Sequence, residues 1–118
     1  ADDRFVRDGT DLITALDIPA PLAALGATLE VPTLDGPEPI TVPAGTQPGD
    51  ELTLSGKGLP PLRRGRHGDL RVIANVVIPR RLRPEQKELL EQLAASLTDE
   101  NLAEDEGVFA KLRRVLRS

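Results

Sequence analysis

The sequence predicts a mainly β protein: a small β-sandwich-like domain with one short helix over residues 1–80, followed by C-terminal helices over residues 81–118. Three observations lead there. Short segments of alternating apolar and polar residues are separated by proline and glycine turn signals, the pattern of half-buried strands rather than helices. The core has almost no aromatic material, only Phe5 and Phe109, so it must be filled by Leu, Val, Ile and Ala. After Pro79 the alternation stops and leucines recur at helical spacing.

Taken in order, residues 1–9 are polar apart from Phe5 and Val6 and end in the turn pair Asp8-Gly9. Leu12, Thr14, Leu16 and Ile18 then share one face of a strand that Pro19 ends. The run Pro21-Leu22-Ala23-Ala24-Leu25-Gly26 is about one helical turn, with proline at its start and glycine at its stop, and Leu22 and Leu25 are expected to press onto the sheet. Leu29 and Val31 belong to a second strand that Pro32 places near an edge. Asp35-Gly36 offers a hairpin turn, and Pro37 and Pro39 are expected to shorten the strand that carries Ile40 and Val42.

Pro48-Gly49 suits the two centres of a type II turn, because the first wants the φ of proline and the second a positive φ. Leu52 and Leu54 point to one face of the strand that follows, and Gly56 and Gly58 give the chain its exit. Residues 63–68, RRGRHG, form a basic loop. The longest strand, residues 69–78, carries Leu70, Val72, Ala74, Val76 and Ile78 on one face and Ile73 and Val77 on the other, so it is read as the central strand, apolar on both sides in its second half. Pro84 opens a helix with a stripe of Leu89, Leu90, Leu93 and Leu97, and a last helix over residues 106–117 carries Val108, Phe109, Leu112, Val115 and Leu116. Two apolar stripes are hard to bury against one small core. The first reads as intrachain packing before a client site, the last divides evenly between its own chain and a second copy, and both are assigned to dimerisation.

Composition excludes several kinds of chemistry. Without cysteine there is no disulfide and no thiolate zinc site, one histidine makes no cluster, and no cofactor is called for. No apolar run approaches the roughly 20 residues of a membrane span, and the start lacks the order of a signal peptide, which points to the cytoplasm. The chain begins in polar sequence without an initiator methionine, as a fragment would. The net charge of −4 hides segregation: residues 57–83 hold eight basic residues and one acid, Asp69. Read as a nucleic-acid site, the loop at residues 63–68 lacks an aromatic to stack a base, so a solvated turn is the preferred reading. His67 has no neighbouring serine or cysteine, and the glycines around Lys57 do not match the phosphate-binding loop pattern.

The segment VPAGTQPGDELTLSGKG (residues 42–58), with VPTLDG (31–36) before it and GDLRV (68–72) after it, resembles the C-terminal region of DnaJ-type co-chaperones. RDGTDLI (7–13) and PEQKELLEQL (84–93) extend the match over nearly the whole chain, and the counterpart is the second C-terminal β-domain with its dimerisation segment. The resemblance implies a non-catalytic module that binds unfolded polypeptide clients, forms a homodimer, and belongs to a protein that delivers clients to a DnaK-type chaperone. It implies no membrane partner. The J domain with its His-Pro-Asp tripeptide and the zinc-binding CxxCxGxG repeats are missing from this chain, where His67 is followed by Gly68 and Asp69. The family's clearest groove lies in its first β-domain, between the strand before the small helix and the strand after it, and matching that arrangement here selects Leu16, Ile18, Leu29 and Val31. Two other readings stay open: a purely structural dimerisation domain, and a nucleic-acid-binding β-domain using residues 63–83.

Overall fold

The computed structural model describes residues 3–103 together with Arg113 and Leu116. The chain divides into two compact units, Ala1–Arg80 and Arg81–Ser118. In the first, the element order is β1 (Val6–Asp8), β2 (Asp11–Pro19), α1 (Ala20–Leu25), β3 (Ala27–Thr33), β4 (Gly36–Val42), β5 (Glu51–Leu54) and β6 (Leu70–Val77). The second contains α2 (Pro84–Ser96) and α3 (Asp99–Leu102).

The strands form a four-stranded sheet in the order β1-β2-β6-β5 and a two-stranded sheet of β3 and β4. β6 is interior, parallel to β2 and antiparallel to β5. Alternation then dictates what is buried: Leu12, Thr14 and Ile18 of β2 and Leu70, Val72 and Ala74 of β6 point the same way, onto Val31, Ile40 and Val42 of the smaller sheet. One cluster joins Leu12, Val31, Ile40, Leu70 and Val72, with Phe5 packed against it; the other joins Ile18, Ala23, Val42 and Ala74. The buried threonines are satisfied locally, Thr14 Oγ1 donating to the Arg4 carbonyl (2.7 Å), Thr33 Oγ1 to that of Gly36 (2.6 Å) and Thr46 Oγ1 to that of Pro43 (2.6 Å).

The turn before β5 forms at Pro48-Gly49 with Gly49 at φ 85° and the Asp50 N–H donating to the Gln47 carbonyl (3.1 Å). Gly58 has a different reason to be glycine from the dihedral freedom expected of it. A Cβ there would lie 2.6 Å from the Thr10 carbonyl oxygen and 2.7 Å from the Asp69 nitrogen, so close backbone approach forbids a side chain.

Several expectations are corrected. Residues 6–8 are a strand, because β2 offers them an edge to pair with. In α1 Ala23 is buried and half-buried Leu22 packs against the core as expected, but Leu25 is 76% exposed, since a six-residue helix has room for one inward face. The hairpin loop is Leu34-Asp35, one residue earlier than expected, with Thr33 opposite Gly36. β4 runs for seven residues straight through Pro37 and Pro39, which a two-stranded sheet permits because each strand has a side with no partner. On the second face of β6, Ile73 is half-buried and Val77 is exposed, so that face is open rather than buried in the second half of the strand, and just past the strand Ile78, expected on the inward face, is 70% exposed. α3 was not anticipated, although Thr98 with Asp99 and Glu100 in the first turn is a helix-start signal.

Candidate functional site

The hairpin of β3 and β4 defines two edges of opposite character. In an antiparallel pair, main-chain groups alternate between facing the partner strand and facing away. Pro32 sits opposite Pro37, and Glu30 opposite Pro39, so these are the positions that face away, since proline has no N–H to give a ladder. Val31 with Glu38 and Leu29 with Ile40 carry the inter-strand bonds. It follows that the outer edge of β3 presents the N–H and C=O groups of Thr28 and Glu30 and the C=O of Pro32. The outer edge of β4 presents Pro37 and Pro39 and has lost those two donors. An open edge is a template for another extended chain, and a proline-blocked one is not.

The four groove residues are split by the structure. Ile18 and Val31 are fully buried, one in each core cluster, and have no surface to offer a ligand; their strand faces point at the opposing sheet. Leu16 and Leu29 are half-buried: Leu16 packs against both clusters and Leu29 against the one that includes Ile18. With Leu22 of α1 they form a partly covered apolar margin around Ile18, Ala23, Val42 and Ala74. Thr28 and Glu30 were missed by looking only at apolar periodicity. The prolines at 37 and 39 were the legible signal, because their spacing already says which side of the hairpin cannot be extended. A second apolar feature is an open depression of about 590 Å³ lined by Asn75, Val76, Val77, Ile78, Pro79 and Arg80.

In the second unit, α2 starts with Pro84 in its first turn, and the Arg83 N–H donates to Gln86 Oε1 (2.8 Å). None of its residues is buried. Among the described residues of this unit, Leu89, Leu90, Leu93 and Leu97 are all exposed, Leu89 at 65%. Leu116 is helical and exposed. The expectations for Val108, Phe109, Leu112 and Val115 lie outside the described residues.

The polar surface is tied together across strands. Arg71 on β6 donates from Nε to Glu51 Oε1 on β5 (2.9 Å) and from Nη1 to Asp8 Oδ2 on β1 (2.8 Å). Those two carboxylates, Glu51 first, push its pKa up. Lys57 reaches Glu38 (3.3 Å) and Asp35 (3.8 Å). Arg63, Arg64, Arg66 and His67 are exposed. Among the described residues no group of three or more His, Cys, Asp or Glu side chains could hold a metal ion, and no helix is long and apolar enough to cross a membrane.

Comparison with known proteins agrees with this architecture. A family profile described as the DnaJ C terminal domain matches residues 1–79. The chain is 49% identical over 112 residues to the chaperone protein DnaJ of Haloarcula marismortui, covering 95% of this chain and 29% of that protein. It is 45% identical over 112 residues to the chaperone protein DnaJ of Acetivibrio thermocellus, with the same coverage. It is 43% identical over 110 residues to that of Agrobacterium fabrum, covering 92% of this chain and 29% of that protein. The chain thus spans less than a third of the length of these relatives, and over the part it spans it belongs to the DnaJ C-terminal domain family.

Proposed function

We propose that this chain is a non-catalytic chaperone module that holds extended segments of unfolded polypeptides and dimerises a cytoplasmic DnaJ-type co-chaperone, which passes its clients to a DnaK-type chaperone through a J domain outside this sequence. The observation that carries the reading is the outer edge of β3, unpaired in the sheet and carrying half-buried Leu29, which packs with half-buried Leu16 and Leu22 against one core cluster. A client strand laid there would gain main-chain hydrogen bonds from Thr28 and Glu30 and set alternate side chains against the leucine margin, with low sequence specificity. Each site would be weak. Two sites on one dimer raise apparent affinity by a factor on the order of 10² to 10⁴ when one client spans both. The exposed leucines of α2 are the surface that a second copy would cover.

The test is titration of a labelled unfolded polypeptide, followed by fluorescence anisotropy, into the 118-residue chain and its Leu29→Ser variant. Binding that weakens in the variant, with its circular dichroism unchanged, supports the client edge. Absence of binding to the parent chain refutes it. Sedimentation with and without residues 106–118 tests dimerisation, and a chain that sediments as a monomer in both forms sinks that part. The full burial of Ile18 and Val31 favours a second reading, a dimerising domain without a client site, which the same titration separates. A DNA titration at two salt concentrations would reveal use of residues 63–83 through a steep salt slope.

A further inference from the structure

Between Arg7 and Lys57 the sequence has eight carboxylates and not one lysine or arginine, a span that contains β2, α1, β3, β4 and β5. Four of the eight are engaged by cations, Asp8 and Glu51 by Arg71 and Asp35 and Glu38 by Lys57. Three more accept hydrogen bonds: Asp11 from the Asp69 N–H, Asp17 from the Asn75 amide and Asp50 from the Gln47 N–H. That leaves Glu30, which is exposed on β3 and has no ion pair or side-chain hydrogen bond among the described residues. It also lies at one of the two positions, with Thr28, that offer a main-chain N–H to the open edge, Pro32 having none to offer.

We infer that the β3 edge selects extended client segments in which apolar residues alternate with lysine or arginine, and that Glu30 sets this preference. The inference rests on the client-edge reading and sharpens it. A strand added beside β3 must follow its pleat, so residues on its inner face continue the row of Leu29 and Val31, and residues on its outer face stand next to Thr28 and Glu30. The inner row meets the leucine margin and wants apolar side chains. The outer row meets a carboxylate that has no ion pair among the described residues, so a basic residue there is attracted and an acidic one repelled. Pro37 and Pro39 remove the corresponding option on β4, so the preference is read at one edge only.

The experiment uses the 118-residue chain and three labelled nonapeptides with the same alternating leucine and valine positions, separated by lysine, glutamine or glutamate. At low salt the lysine peptide is expected to bind about two- to fivefold more tightly than the glutamine peptide, with the glutamate peptide weakest. In concentrated salt the three should converge, because the pair is exposed and screened. Glu30→Gln should erase the low-salt difference, and Glu30→Lys should reverse the order. If all three peptides bind equally well, or if Glu30→Lys leaves the order unchanged, the charge selection is overturned while client binding stands. If none binds, the client-edge reading itself fails and takes the selection with it.

Discussion

Replacing Gly58 with alanine should cost on the order of 2–4 kcal/mol of folding stability, although the change adds one methyl group. The added Cβ would stand 2.6 Å from both the Gly68 carbonyl carbon and the Thr10 carbonyl oxygen, where carbon needs about 3.5 Å. All the atoms it meets are backbone, so no side chain can swing aside, and the three segments must separate by roughly an ångström. They are held together by the Gly58 N–H to the Gly68 carbonyl (2.9 Å), Leu59 N–H to Thr10 (2.7 Å), Gly68 N–H to Leu59 (2.9 Å) and Leu12 N–H to Asp69 (2.9 Å). At about 1 kcal/mol net for each bond lost or stretched, up to about 4 kcal/mol of an ordinary margin of about 5–15 kcal/mol is at risk. The same junction brings the start of β6 against the start of β2, the pairing on which Ile18 and α1 are mounted. With no Trp or Tyr in the chain, urea unfolding is best followed by far-ultraviolet circular dichroism. Gly56→Ala is the control: its φ is 75° and a Cβ there has open space, so only the left-handed backbone cost of about 1–2 kcal/mol applies. A Gly58→Ala loss no larger than that of the control would refute the crowding argument.

Three further outcomes are expected. Val31→Ala should lower stability by about 1–3 kcal/mol because its side chain is fully buried between the sheets; denaturant midpoints check this, and a change within error would mean that the site collapses around the smaller residue. Replacing Pro37 and Pro39 together by threonine should restore donors on the outer edge of β4 and promote association of copies, seen as concentration-dependent light scattering; unchanged scattering would show that the prolines are not what protects this edge. Arg71→Gln should alter stability little and in a salt-dependent way, because the Asp8 and Glu51 pairs are exposed. Since the Arg71 pKa is raised in the folded chain, its contribution is fully present below the unfolded-state pKa and is lost only as pH rises through the folded one, so it should be flat across neutral pH. A loss of the Arg71 effect between about pH 6 and 8 would contradict that assignment.

Residue alternation alone determined the faces of the strands. The inward row of Leu12, Thr14 and Ile18 and that of Leu70, Val72 and Ala74 follow from a period of two, as the bounds of α1 follow from Pro21 and Gly26 and the turn before β5 from Pro48-Gly49. Those are properties of a few consecutive residues, and they hold wherever the segment ends up. Tertiary structure decided what could not be local. It placed β6 parallel to β2 across more than fifty residues of chain, buried Ile18 and Val31 completely where a groove was expected, and left Leu25 and Ile78 in solvent. It also gave Gly58 its reason, the approach of Thr10 and Gly68, and turned two prolines from strand breakers into the closed edge of a hairpin. Periodicity says which way a side chain points, whereas burial and an open edge depend on what the rest of the chain brings alongside.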